Sequence, residues 1–275
     1  MKTIQRPLFL TILICILLNS CKSEQDNPIP NNTTTGTTTT GGTTTGASSG
    51  TDYSTIMTKA FTDYGSKSVS SVTVDGDYLV IKCTGVPDHK SPYFKGTSWE
   101  NTLYVNDTRS GFKVNPNIIA SFSYTFRIPK SPKEATTKKT LGTATIGIAL
   151  NGVPLFNQYA AGNTPITVGT GEYVSFDLYG GHPAPSSDYH YHIEPNYITE
   201  KKGTDALIGF LLDGFPVYGS KENGKTVASA SLDAYHGHTS ATKEYPNGIY
   251  HYHTTADAPF INGNGFFGTA GTWAK

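Results

Sequence analysis

The stretches "IGIALNGVPLF" (residues 146–156) and "IGFLLDGFPVY" (residues 208–218) match each other 62 positions apart. They share Gly147/Gly209, Asn151/Asp213, Gly152/Gly214 and Pro154/Pro216. Asn-Gly or Asp-Gly between two apolar runs is a strong signal for a β-hairpin, because the tight turn needs positive φ. Working outward, "SFDLYGGH" (175–182) matches "SLDAYHGH" (231–238) at an offset of 56, and the "YHYH" of 189–192 recurs at 250–253 at an offset of 61. Three blocks in the same order, with loop-sized shifts between them, describe an internal duplication with repeats at about 143–192 and 205–253.

The flanking sequence has the same character. In "NIIASFSYTFRI" (117–128), Phe122, Tyr124, Phe126 and Ile128 alternate with Ser121, Ser123, Thr125 and Arg127, the period of a half-buried strand. "DGDYLVIKCTG" (75–85) reads as turn, strand, turn. Apart from a short helix near 54–61, no apolar stripe of helical period lasts beyond two turns. The expected class is all-β, a sandwich or partly closed barrel built on the duplication, with few or no helices.

The N-terminus bears on location. "MKTIQRPLFLTILICILLNSC" (1–21) has a basic start, Lys2 and Arg6, and an apolar run too short for a comfortable bilayer span of about 20 residues. It reads as a secretory signal over 1–20, and its end in "LNSC" resembles the bacterial lipoprotein signal, in which Cys21 is lipidated. That resemblance implies an outer-membrane lipoprotein, facing the periplasm or the cell surface, with the membrane as a partner through its lipid. Residues 21–52, rich in Thr and Gly, carry too little apolar surface to fold and read as a disordered tether. With Cys15 in the signal and Cys21 lipidated, only Cys83 is left and no internal disulfide can form. Residues 53–275 read as one β domain. Lys plus Arg (21) equals Asp plus Glu (21), so no net field favours nucleic acid. The 17 tyrosines suit strands, and also a surface that meets an extracellular glycan or a small molecule.

Histidine is the unusual feature. Seven of the eight histidines lie between His182 and His253. On an extended strand side chains alternate faces, so His190 and His192 point away from Tyr189 and Tyr191, as His251 and His253 point away from Tyr250 and Tyr252. Two imidazoles at i and i+2 can converge on one ion with Zn–N near about 2.0–2.1 Å. Each repeat adds a histidine before a turn, His182 and His238, and an aspartate, Asp177 and Asp233, that could ligate or could orient a histidine. His236 has Gly180 as its counterpart, and it ranks with His89 below the other six as a ligand. Nitrogen and oxygen donors without thiolate favour Cu(II), Zn or Fe. A pseudo-twofold arrangement would bring His190/His192 and His251/His253 to a shared ion, although the sequence leaves one site or two open.

"VPDHKSPYF", "SYTFRIP", "NGVPLFN", "GGHPAPSSDYHYH", "GFLLDGFPVYG", "GHT" and "GIYHYHTT", in this order, resemble the YHYH protein family from roughly Val72 to the C-terminus. The resemblance brings His89 among the candidates, because it lies in one of these segments. Many relatives have cysteine where this chain has Tyr179 and Tyr235, and in the last glycine-rich turn, here "FINGNGFFG" (260–268). The family carries no established activity to transfer. Three functional readings stand together: a metalloenzyme or metal-handling protein, a metal-free glycan-binding or polysaccharide-lyase-like module using Tyr and His, and a structural His/Tyr network.

Overall fold

The computed structural model describes residues 51–101, 111–141 and 145–275. The signal segment, Cys21 and nearly all of the tether therefore lie outside the described residues. The first element, helix α1 (Ser54–Tyr64), closes on Gly65, whose φ of 70° sets the left-handed turn that lets its N–H reach the Phe61 carbonyl. It buries Met57 and Phe61 against the strands.

Two hairpin-rich sheets share the core. Strands β1 (Val69–Asp75), β2 (Tyr78–Cys83) and β3 (Tyr124–Pro129) pair antiparallel in sequence order. The last strand, β16 (Thr272–Ala274), closes that sheet on β3. As the period of two requires, Tyr124, Phe126 and Ile128 are buried while Thr125, Arg127 and Pro129 are half-exposed.

The second sheet carries the duplication. The first repeat supplies β4 (Thr145–Ala149), β5 (Pro154–Phe156), β8 (Gly181–Pro183) and β9 (Tyr189–Tyr191). The second supplies β10 (Leu207–Leu211), β11 (Pro216–Tyr218), β14 (Gly237–Ser240) and β15 (Ile249–His253). Two small strand pairs, β6/β7 (Tyr159–Ala160, Thr164–Pro165) and β12/β13 (Lys221–Glu222, Lys225–Thr226), and helix α2 (Asn196–Lys202) sit in the connections. The strand order is β14-β15-β11-β10-β4-β5-β9-β8. From either end it visits equivalent strands, so a local twofold axis passes between β4 and β10.

The register at that seam is itself symmetric. Ile148 faces Phe210, Gly147 faces Leu211 and Ala149 faces Gly209. Glycine is required at both symmetric positions by close approach: a Cβ on Gly147 would sit 2.4 Å from the Phe210 carbonyl oxygen, and one on Gly209 would sit 2.2 Å from that of Ile148. The hairpin glycines behave as their sequence predicts, with φ of 83° at Gly152 and 86° at Gly214. The fold is all-β with two helices, as expected, and its two open sheets do not close into a barrel.

Candidate metal centres

The Tyr-His-Tyr-His alternation sorts the side chains by face. On the tyrosine face each of the four YHYH hydroxyls finds a carboxylate, imidazole or amide partner. Tyr189 donates to Asp177 (2.7 Å), which also accepts from Ser91 (2.7 Å). Its equivalent Tyr250 donates to Asp233 (2.9 Å). Asp177 and Asp233 thus brace tyrosines, and each also accepts from turn N–H groups, those of Tyr179 and Gly181 for Asp177 and of Tyr235 and Gly237 for Asp233. Tyr191 hydrogen-bonds His89 Nε2 (3.0 Å) and accepts from the Asn151 amide (3.0 Å). Tyr252 donates to Asp213 (2.7 Å) and accepts from the Phe267 N–H (2.8 Å). The residue that differs between the hairpins, Asn151 or Asp213, follows from this. His89 Nε2 accepts the tyrosine's hydrogen bond in the first repeat, whereas the second repeat has the Asp213 carboxyl for the purpose.

The histidine faces form two separate clusters. Glu172, His182, His190 and His192 make the first, and Glu222, His238, His251 and His253 the second. In each cluster, the potential ligand atoms lie within 4.8 Å of one another. In the first, His182 Nε2 is 3.2 Å from His190 Nε2, which is 3.0 Å from His192 Nε2. Glu172 Oε1 lies 3.0 Å and 3.3 Å from the His182 and His192 Nε2 atoms. In the second, the corresponding Nε2 separations are 3.1 Å and 3.2 Å, and Glu222 Oε1 stands 3.5 Å and 3.6 Å from His238 and His251. Donors around a tetrahedral ion at about 2.0–2.1 Å lie roughly 3.3 Å from one another, so both sets have the right spacing.

The tautomers follow from the outer nitrogens. His190 Nδ1 contacts the Asp188 carbonyl (3.0 Å) and His192 Nδ1 the Asn157 carbonyl (2.6 Å). A carbonyl only accepts, so each Nδ1 carries the proton and each Nε2 turns a lone pair inward. Ser175 donates its hydroxyl proton to the Glu172 carbonyl (2.7 Å) and so accepts from His182 Nδ1 (2.7 Å), which fixes the third ring the same way. The second repeat copies two of these three bonds, His251 Nδ1 to the Ile249 carbonyl (3.0 Å) and His253 Nδ1 to the Gly219 carbonyl (2.8 Å). Asn157 and Gly219 are equivalent positions.

Three inward lone pairs in contact repel unless something positive lies among them. A proton is a poor candidate. Burial, then the neighbouring imidazoles, push His190 well below its ordinary pKa, and burial lowers His182 and His253 and brings His251 to about 4. Each cluster offers the Nε2 atoms of three histidines and one glutamate carboxyl, a donor set suited to a transition-metal dication. Cys83, the free thiol among the described residues, is buried and pushed up to about 12 by that burial.

The structure sorts the sequence's candidates. The pairs His190/His192 and His251/His253 do not converge on a shared site. The twofold axis runs between β4 and β10, so the two YHYH strands are five strand spacings apart, about 24 Å along the sheet at roughly 4.8 Å each. His89 joins neither cluster and lies on the tyrosine face, inside a ring of Tyr179, Tyr189, Tyr191 and Tyr197. His236 also stands outside, at a φ of 74° where the first repeat has Gly180, with Nε2 on the Thr255 hydroxyl (2.9 Å). Neither Glu172 nor Glu222 is among the residues that the sequence points to. Glu172 comes from a short 3-10 turn (Gly171–Ser175) and Glu222 from β12, positions outside the duplicated blocks and not equivalent to each other.

These features define a class: a twofold-duplicated β protein with a cluster of three histidines and one glutamate in each repeat. The YHYH protein family model matches residues 125–226 and 221–265, more than half of the chain, and the chain belongs to that family. No curated protein and no solved structure matches it.

Proposed function

We propose that the chain is a lipid-anchored protein of the bacterial envelope that binds two transition-metal ions, one in each repeat. The observation that carries the metal reading is the tautomer pattern. In the first cluster three acceptors hold Nδ1–H outward, so three Nε2 lone pairs and the Glu172 carboxylate meet at one point. Such a pattern, with carbonyl or hydroxyl partners on the far ring nitrogen, orients histidine ligands and raises their basicity. The bound ion would supply Lewis acidity or, for Cu or Fe, electron transfer. The chain's own residues hold the ring planes and keep a proton off Nε2. The lyase-like reading is disfavoured because Tyr189, Tyr191 and Tyr252 are buried and their hydroxyls are engaged within the fold.

Frozen-solution electron paramagnetic resonance of the Cu(II)-loaded protein tests the metal reading. Nitrogen couplings from several imidazoles are expected, and they should vanish in the His190→Ala/His251→Ala double variant while Tyr191→Phe retains them. A spectrum without nitrogen coupling, or one unchanged in the double variant, rejects it. The anchor rests on the "LNSC" signal and the Thr/Gly tether. Cys21→Ala should move the protein from membrane to soluble fraction with its fold intact, and retention on membranes in high salt would remove the anchor from the account.

A further inference from the structure

The two clusters are copies in sequence but not in surroundings. Resting on the two-ion reading above, we infer that the first centre is a closed site that retains its ion, whereas the second exchanges its ion and accepts a small exogenous ligand. That ligand would be water, hydroxide or a monodentate anion. Four differences support this.

Exposure comes first. The His182 side chain is 5% exposed and its equivalent His238 is 30% exposed, although the carboxylates Glu172 and Glu222 are alike at 24% and 25%. Solvent therefore reaches the second cluster beside His238. The outer hydrogen bond is the second difference. Ser175 fixes His182 Nδ1, but its equivalent Ser231 gives its hydroxyl to the Ala228 carbonyl (2.7 Å). Among the described residues nothing hydrogen-bonds His238 Nδ1. Losing such a partner typically weakens metal binding about 10–100-fold.

The third difference is the wall. In the first site Phe156 stacks on His190 with centroids 3.9 Å apart, and Phe176 stacks on His192 at 5.3 Å. Their equivalents are Tyr218, which meets His251 only edge-on at 5.2 Å, and the aliphatic Leu232. Finally, the carboxylate of the second site is shared. Ser240, on the same strand as His238, donates to Glu222 Oε1, and that oxygen stands farther from its imidazoles than Glu172 Oε1 does from His182 and His192. Its ligand set is accordingly looser on the solvent side.

The asymmetry has a cause in the chain. The segment between β2 and β3 exists once, and its described residues Tyr93, Lys113 and Asn115 contact the first repeat. Asn115 donates to the Pro183 carbonyl (3.1 Å), the Lys113 N–H to the Val174 carbonyl (2.8 Å), and the Tyr93 hydroxyl to the Ser175 carbonyl. The C-terminal turn that covers the second repeat packs on its tyrosine face instead, where Phe267 stacks on Tyr250 at 3.6 Å. The first histidine cluster gains a cover that the second lacks.

Co(II) reports both properties, because its visible spectrum responds to an added ligand. The full-length protein loaded with two equivalents should lose one to EDTA rapidly and keep the other, with apparent affinities about 10–100-fold apart. Azide should shift the spectrum of the labile ion alone. The response should disappear in His251→Ala and persist in His190→Ala. Ser175→Ala, a milder change, should make the retained ion labile too. Two ions of equal lability, or an azide response that survives His251→Ala, would overturn the inference while leaving the two-ion reading intact. No Co(II) bound at all would defeat that reading itself.

Discussion

At the scale of single residues, the tyrosine face explains substitutions that the duplication alone would leave arbitrary. Asp213 is fully buried, and burial raises its carboxyl to about 6 despite hydrogen bonds from Tyr252, Gly268 and Phe215. The folded protein therefore holds a proton between about pH 4 and pH 6 that the unfolded chain, with an ordinary carboxyl, has already released. Stability from this group is fully present below about pH 4 and is lost as pH rises through about 6, a change of about 3 kcal/mol at roughly 1.4 kcal/mol per pKa unit. Urea unfolding at several pH values between 4 and 7 should show that this downward contribution is absent in Asp213→Asn. Comparing the two proteins cancels the titration of the histidines they share. An identical pH slope in both would mean that Asp213 is not held protonated by its burial.

At the scale of elements, the seam between β4 and β10 should tolerate no side chain at its two glycines. Gly209→Ala would place a methyl 2.2 Å from the Ile148 carbonyl oxygen, and Gly147→Ala one 2.4 Å from that of Phe210. Forcing atoms into such a contact costs about 1–3 kcal/mol or more. By symmetry the two substitutions should lower the denaturation midpoint to a similar extent. A loss below about 0.5 kcal/mol from either would argue against the seam. Much of this level was legible beforehand. The Asn-Gly and Asp-Gly turns, the period of two at Tyr124, Phe126 and Ile128, and the opposed faces of the YHYH strands all follow from local chemistry. The carboxylates of the two clusters were not legible. Glu172 and Glu222 lie in connections of unequal length, where no periodicity marks a glutamate that the fold brings back to a histidine strand.

At the scale of the whole molecule, the repeats revealed that two units exist but not which edges they would pair. Had the axis passed beside β9 and β15, the imidazoles would have met across it. Because β4 and β10 form the seam, each repeat completes its own cluster from its own loops, and the remaining chain is free to cover one cluster more than the other. The separation of the two clusters therefore follows from β4 and β10 forming the seam, with a glycine of each strand at the close approach.

Counting ions per chain tests this account most directly. Native mass spectrometry of the protein loaded with Zn(II) and desalted should show two ions per wild-type chain. His190→Ala and His251→Ala should each reduce the count to one, and the double variant should carry none. A wild-type count of one that either single substitution abolishes would mean a shared site, and would contradict the separation of the two clusters across the sheet.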